Sequence, residues 1–327
     1  MNIILVTPAP PGSRKGNRVT ALRWARQLRQ LGHRVAVREQ YGGAPCDLLI
    51  ALHARRSFPA VEAYRGAHPA GPVVVVLTGT DLYGDIRTDP AARRALEVSS
   101  RLVVLQPLGV RELPRRLRDK ARVIYQSAEA PRAAPRRRAG AFEVCVLGHL
   151  RPVKDPFRTA LASRLLPPSS RVRVLHVGAA LSADMAERAS AEAAANPRYR
   201  WLGDLPRPRA LRVLARCRLL ALTSRLEGGA NVISEAIAAG VPVVSSHIAG
   251  SVGILGADYP GYFPVGDTEA LAALLHRAET DPGFYGTLRA RCRQLRPLVR
   301  PAREREGWRL LLRELQPSNG GERWRGR

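Results

Sequence analysis

A segment in the C-terminal half of the chain carries two carboxylates on either side of a glycine pair. It reads Ser224-Arg-Leu-Glu-Gly-Gly-Ala-Asn-Val-Ile-Ser-Glu235, with Glu227 and Glu235 eight residues apart. Because the segment runs into a predicted helix, its backbone N–H groups would lie at a helix N-terminus, which suits a diphosphate. Glu235 could then accept hydrogen bonds from ribose hydroxyls. The alternative is a glycine-rich helix cap with a chance glutamate. The candidate N–H donors are Gly228, Gly229, Ala230 and Asn231.

A second loop, Gly148-His-Leu-Arg-Pro-Val-Lys-Asp155, follows an apolar run that predicts a strand. Lys154 and Arg151 would lie near the start of the next helix. The chain has only three lysines among its 53 basic residues, and two of them fall in candidate loops. A compact ammonium group suits a phosphate clamp, so the loop indicates an anion site. The alternative is ordinary surface charge.

The loop Pro8–Asn17 joins the first predicted strand to the first predicted helix. Gly12 and Gly16 allow a ligand to approach the backbone closely, and Lys15 adds a positive charge. The loop matches neither the Walker pattern nor the G-x-G-x-x-G pattern. It indicates an anion site, and the alternative is a plain turn with a basic tip.

Two further candidates follow predicted strands. Thr80 and Asp81 come after a run of four valines, where they could contact a substrate or only cap a turn, and His53 ends another apolar run. The cysteines and histidines show no metal-ligand spacing and no Asp-x-Asp pair occurs, so we expect no metal. The charge of a leaving diphosphate would then be offset by Lys154, Arg151 and helix dipoles.

The elements that must position these loops form two α/β series. Short apolar runs alternate with amphipathic stretches, and the Pro- and Arg-rich stretch 129–140 separates the two series. This predicts two Rossmann-like, doubly wound domains, 1–138 and 142–300, with a ligand cleft at the carboxyl ends of their strands. A final helix is predicted near 302–316.

The composition and charge of the chain restrict the classes of protein to which it can belong. The chain has 327 residues, is 45% hydrophobic and 24% charged, and carries a net charge of +26. Such a charge is compatible with a nucleic-acid partner, but the basic residues are spread along the chain, which favours a general attraction for anionic substrates. The four dispersed cysteines and the apolar strand at the N-terminus favour a cytoplasmic protein without integral membrane association.

Three motifs together resemble the donor site of GT-B glycosyltransferases of the family 4 type. They are the Glu227-x7-Glu235 segment followed by Ala236-Ile-Ala-Ala-Gly-Val-Pro-Val-Val244, the loop Gly148-His-Leu-x-x-x-Lys154, and the turn Leu202-Gly203-Asp-Leu205. The resemblance implies a UDP-sugar donor, metal-independent catalysis and a final helix that crosses back to the N-terminal domain. His149 stands where the family usually has arginine.

A narrower resemblance is to the selenosugar synthases of selenoneine biosynthesis. It rests on Pro10-Pro-Gly-Ser-Arg-Lys-Gly-Asn-Arg-Val-Thr20, His53-Ala-Arg-Arg-Ser57 and Leu77-Thr-Gly-Thr-Asp-Leu-Tyr83. These enzymes join selenophosphate to a sugar from UDP-GlcNAc or UDP-glucose, forming a carbon–selenium bond, and use no further cofactor. The alternatives are a related transferase acting on a cell-envelope or small-metabolite acceptor and, more remotely, a nucleic-acid-binding protein.

The resemblance implies three groups of site residues. The catalytic group is Lys154, Glu227 and His53. The donor-binding group is Glu235, Gly228, Gly229, Ala230, Asn231, Arg151, His149, Leu202 and Gly203. The acceptor-binding group is Gly12, Ser13, Lys15, Gly16, Asn17, Arg18, Thr80 and Asp81.

Overall fold

The structure is a computed structural model that describes residues 1–131 and 136–316. These residues form two parallel β-sheets, each flanked by helices. Part of the predicted linker, residues 132–135, lies outside the described residues, as does the polar tail 317–327. The predicted domain boundaries at 138 and 142 stay a prediction.

The N-terminal sheet is built from short apolar runs that alternate with helices. Its strands are β1 (Asn2–Val6), β2 (Arg34–Arg38), β3 (Leu48–Leu52), β4 (Val73–Val76), β5 (Arg101–Val104) and β6 (Ala121–Val123). Its helices are α1 (Gly16–Gln30), α2 (Phe58–Ala67), α3 (Ile86–Thr88), α4 (Pro90–Val98) and α5 (Leu108–Glu112). The strand order is β2-β1-β3-β4-β5-β6 and the pairs are parallel. Strand β4 is fully buried because helices cover both faces of the sheet.

The C-terminal sheet is also built from short apolar strands that alternate with helices. Its strands are β7 (Phe142–Leu147), β8 (Val172–Val177), β9 (Tyr199–Trp201), β10 (Leu219–Leu222), β11 (Val243–Ser246) and β12 (Tyr262–Phe263). Its helices are α6 (Arg158–Arg164), α7 (Ala183–Ala195), α8 (Arg207–Arg216), α9 (Asn231–Ala239), α10 (Ala249–Leu255), α11 (Thr268–Thr280) and α12 (Pro282–Gln294). The strand order is β12-β11-β10-β7-β8-β9, again with parallel pairs.

The last helix, α13 (Pro301–Glu314), packs against α1 of the N-terminal sheet. The rings of Trp24 and Trp308 meet edge to face with centroids 4.9 Å apart, and both are fully buried. Beside them the carboxylate of Glu304 is 1% exposed. Four side chains donate hydrogen bonds to it: Arg23, Trp24, Gln27 and Ser127.

Several element boundaries differ from the sequence prediction. Helix α1 begins at Gly16 with Lys15 as its N-cap, so the helix starts one residue before the predicted Asn17. The apolar period of the sequence predicts a helix over residues 155–165, but the helix begins only at Arg158, because Pro152–Lys154 form a 3₁₀ turn and Asp155 adopts a left-handed conformation with φ of 44°.

Helices α2, α3, α4, α10 and α12 were absent from the prediction. Two of them carried a readable start signal, since the side chains of Asp89 and Asp281 cap α4 and α12 immediately before a proline. Within the described ranges, no helix has both the length and the apolar character needed to cross a bilayer.

Candidate active site

A cavity of about 540 Å³ lies between the carboxyl ends of the two sheets. The loops after β1, β3 and β4 line it from the N-terminal side. The loop after β7 and the starts of α8 and α9 line it from the C-terminal side. Parallel strands place their following loops at one edge of each sheet, so residues distant in sequence meet in one cleft.

Lys154 and Glu227 form an ion pair on the wall of the cavity. The hydroxyl of Ser224 also donates to the same Glu227 oxygen at 2.8 Å. The two loops that carry this pair are also joined by hydrogen bonds to the backbone, since Thr223 Oγ1 donates to the Lys154 carbonyl at 3.0 Å and the N–H of Arg225 donates to the Val153 carbonyl at 2.9 Å. The structure thus brings together the two stretches that the sequence singled out for a diphosphate.

Glu235 lies in the cavity wall and is 6% exposed. One of its oxygens lies 2.7 Å from Nη2 of Arg207, which stands in the first turn of α8. The sequence reasoning did not single out Arg207. A signal was available, because Arg207 follows the turn at Leu202 and Gly203 by only a few residues. The pair places a carboxylate and a guanidinium side by side at one end of the cleft.

The predicted turn itself lies just behind this wall. Gly203, with φ of 67°, accepts a hydrogen bond from the backbone N–H of Gly178 at 2.8 Å, and neither Leu202 nor Gly203 lines the cavity. The residues that do line it are those that follow, Asp204 to Arg207.

The glycine pair before α9 splits into two roles. Gly229, Ala230 and Asn231 line the cavity at the start of the helix, as predicted for N–H donors. Gly228 lies outside the cavity lining. A Cβ on Gly228 would lie 2.6 Å from the backbone of Thr78 in the N-terminal half, so glycine is needed there for the two halves to meet.

His149 lines the cavity as a neutral ring. Its Nδ1 accepts the backbone N–H of Ala179 at 3.1 Å, which leaves the proton on Nε2, 3.4 Å from the carbonyl oxygen of Arg14. Burial lowers the pKa of His149 below its ordinary value of 6.5. His149 therefore does not replace the cation that the family usually has at this position. Arg151 lines the cavity beside it.

The loop after β1 faces the donor side across the cleft. Ser13, Lys15, Gly16 and Asn17 line the cavity, as predicted. Gly12 forms a turn with φ of 78° away from the cavity. Arg18 also lies outside the cavity lining, and two of its buried nitrogens, Nε and Nη1, have no hydrogen-bond partner in the described part of the chain. Gly12 and Arg18 thus do not face a ligand in this cavity.

Asp81 holds two loops of the N-terminal half together. It is completely buried and outside the cavity lining. Its Oδ1 accepts the backbone N–H groups of Thr78 and Gly79 at 2.9 and 2.8 Å, and its Oδ2 accepts that of Ala54 at 2.9 Å. Both oxygens of Asp81 thus accept hydrogen bonds from the protein's own backbone, which matches the alternative of a residue that caps a turn.

His53 lies on the cavity wall, 2% exposed, with a strained left-handed φ of 76°. Its Nδ1 lies 3.4 Å from the backbone N–H of Arg56, so Nε2 carries the proton and donates to Thr80 Oγ1 at 3.1 Å. Burial lowers the pKa of His53. The hydroxyl proton of Thr80 is then free to point into the cavity, which Thr80 also lines.

The cations of the cavity fall into two sets. Arg14, Lys154 and Arg207 are each paired with an acid: Asp204, Glu227 and Glu235. Lys15, Arg56 and Arg151 line the cavity and form no ion pair within residues 1–131 and 136–316. Arg56 was missed by the sequence reasoning, although it stands in the quoted string His53-Ala-Arg-Arg-Ser57. Within the same residues, no group of three or more potential ligands is placed to hold a metal ion.

Several contacts cross the cleft and hold the two halves together. Arg23 of α1 donates to Asn231 Oδ1 at 2.9 Å, and Asn231 donates to Thr20 Oγ1 at 3.1 Å. Because Arg23 also binds Glu304 of α13, the start of α9 is connected through one buried guanidinium to the last helix.

Comparison with known proteins agrees with this geometry. The family model of the glycosyl transferases group 1 matches residues 128–295, and the chain belongs to this family. The fold is similar to that of Anabaena HepE in complex with UDP-glucose, with a TM-score of 0.73 and 17% identity over 96% of this chain and 100% of the other. No curated protein sequence matches the chain.

Two further solved structures show the same architecture. Sucrose-phosphate synthase from Thermosynechococcus elongatus has a TM-score of 0.75 and 16% identity over 96% of this chain and 98% of the other. A UDP-forming trehalose-phosphate synthase from Burkholderia xenovorans, in complex with glucose-6-phosphate, has a TM-score of 0.68 and 16% identity over 91% and 77%. The predicted fold class, GT-B with two Rossmann-like domains, is confirmed.

Proposed function

We propose that the protein is a family 4 type transferase that moves a sugar from UDP-GlcNAc or UDP-glucose to selenophosphate. The observation that carries the proposal is a set of uncompensated cations on the N-terminal wall of the cavity. Lys15 and Arg56 on this wall form no ion pair within residues 1–131 and 136–316, whereas Lys154 and Arg207 on the donor side are paired with glutamates and Arg151 is the one donor-side cation of the lining without an acidic partner in those residues. A cleft with uncompensated cations facing a donor site suits a small anionic acceptor.

The donor side supports a nucleotide diphosphate sugar. Gly229, Ala230 and Asn231 at the start of α9 line the cavity, where a helix N-terminus offers free backbone N–H groups to an anion, and Lys154 and Arg151 line it as well. As the bond from the anomeric carbon to the diphosphate breaks, negative charge develops on the leaving oxygen, which these groups stabilise. Glu235 lies deeper and accepts hydrogen bonds from ribose hydroxyls. HepE was solved with UDP-glucose, which supports UDP as the nucleotide.

The acceptor side supports a phosphate-like dianion. Lys15 and Arg56 come from the loops after β1 and β3 and hold its charge, while Thr80, oriented by neutral His53, donates a hydrogen bond. The selenium atom of selenophosphate is already an anionic nucleophile, so its attack on the anomeric carbon needs no general base. One carbon–selenium bond forms, one carbon–oxygen bond breaks, and UDP leaves with the electron pair.

The test is to incubate the protein anaerobically with UDP-GlcNAc or UDP-glucose and selenophosphate. We expect UDP release together with a product whose mass spectrum carries the selenium isotope pattern. Orthophosphate in place of selenophosphate is the control for anion binding without a selenium nucleophile. UDP release no higher than the hydrolysis background, for both donors, would favour the transferase that acts on a cell-envelope or small-metabolite acceptor.

A further inference from the structure

The loop after β1 is fastened to the opposite side of the cleft at Arg14. Its Nη1 lies 2.7 Å from Asp204 Oδ2 and 3.3 Å from the Asp204 carbonyl oxygen, across 190 residues of sequence. The carbonyl oxygen of Arg14 itself faces Nε2 of His149 at 3.4 Å. One residue of the N-terminal half thus contacts two separate loops of the C-terminal half.

The polarity of these contacts is well defined. Nδ1 of His149 accepts the N–H of Ala179, so the Nε2 proton is available to the Arg14 carbonyl. The guanidinium of Arg14 donates to Asp204 as a charged pair. Both contacts are made by Arg14, the residue between Ser13 and Lys15. Ser13 and Lys15 line the cavity on the acceptor side.

We propose that Arg14 is a positioning residue that, through Asp204 and His149, holds the loop after β1 closed over the cavity and thereby places Lys15 at the acceptor. The backbone N–H of Lys15 donates to Ser13 Oγ at 3.1 Å, so the three residues move as one short segment. The inference deepens the proposed function, because the closed loop matters for acceptor binding.

The contacts also set the strength of the closure. The side chains of Arg14 and Asp204 are 44% and 40% exposed, and an ion pair this accessible is weak. The loop is therefore held closed without being locked, as entry of substrate and exit of product require. Removing the pair should change loop opening by about two- to five-fold.

The experiment is a charge swap, Arg14→Asp, Asp204→Arg and the double variant, with Arg26→Asp as the matched control. Arg26 forms a similarly exposed pair with Glu129 at 3.0 Å and lies outside the cavity. We expect each single variant at the pair to raise hydrogen exchange of the segment 13–17, and to raise the KM for selenophosphate, by about two- to five-fold. The double variant restores both values, and Arg26→Asp changes neither.

Two results overturn the inference. Exchange of the segment 13–17 that stays at the wild-type rate in Arg14→Asp shows that the pair does not hold the loop. A double variant that recovers the wild-type exchange but not the KM for selenophosphate shows that Arg14 acts on the acceptor directly. Hydrogen exchange is measured without substrate, so it does not depend on selenophosphate being the acceptor. If selenophosphate is not the acceptor, the wild-type protein shows no turnover with it, while its loop still responds to the charge swap.

Discussion

Glu304 offers the sharpest test of how the last helix is attached to the N-terminal half. Its carboxylate is buried and accepts hydrogen bonds from Arg23, Trp24, Gln27 and Ser127. Replacing it in Glu304→Ala leaves the Arg23 guanidinium buried with only Asn231 as a partner. We expect a large loss of stability from this single change.

The magnitude follows from the burial of the charge that remains. The Arg23 side chain is 8% exposed, and its Nη2 has no partner in the described residues even when Glu304 is present. Removing one member of a buried ion pair typically costs about 3–5 kcal/mol, because the other charge is left without compensation. Such a loss is a large fraction of the roughly 5–15 kcal/mol by which folded domains are stable.

The same helix provides a matched control in Glu314. It pairs with Arg101 and Arg122 of the N-terminal sheet at 2.8 and 2.7 Å, but its side chain is 32% exposed. An accessible pair is worth about 0–1 kcal/mol, so Glu314→Ala should destabilise the protein far less.

The assay is guanidinium chloride unfolding of both variants, followed by tryptophan fluorescence. Trp24 donates directly to Glu304 and therefore reports on this region. Equal losses for the two variants, or a loss below about 1 kcal/mol for Glu304→Ala, would refute the argument that burial decides the energy of the pair.

Two further predictions concern His176 and Arg56. Burial lowers the pKa of His176 from 6.5 to about 4, so the unfolded chain binds the proton first as pH falls. The free energy of unfolding should drop by about 3 kcal/mol between pH 6.5 and 4. Unfolding curves at several pH values should lack this contribution to the pH dependence in His176→Gln. Arg56→Ala should raise the KM for selenophosphate about ten-fold in steady-state kinetics while the donor KM stays constant. The control is Arg55→Ala, since Arg55 pairs with Asp85 outside the cavity, and equal KM values in both variants would contradict the role of Arg56.

The prediction of the fold from sequence succeeded because the strands are short, apolar and separated by turn residues. The valine run that became β4 and the apolar run that became β7 are buried on both faces, and such strands are readable without neighbours. Helix α2 was missed although Pro59 stands in its first turn, a position that proline favours. The helix predicted at Asp155 began late because the local backbone turns left-handed there, which no periodicity reveals.

The site was predictable where parallel topology alone brings loops together. Lys154 and Glu227 meet because the loops after β7 and β10 leave neighbouring strands at the same edge. The sequence could not show that Asp81 and Gly228 lie outside the cavity lining, because a loop residue can turn either toward the cavity or toward the protein backbone. Arg55 and Arg56 show the same limit, since Arg56 lines the cavity whereas the adjacent Arg55 pairs with Asp85 outside it.

The sequence by itself determined the fold class, the alternation of strands and helices, and which loops carry anion-binding groups. These properties depend on the period of apolar residues and on local backbone preferences, which act within a few residues. Only the tertiary structure decided which cations keep an acidic partner and which face the cavity unpaired. The pairs Arg14 with Asp204 and Arg23 with Glu304 join residues 190 and 281 positions apart, and their energies depend on burial, which exists only once the chain is folded.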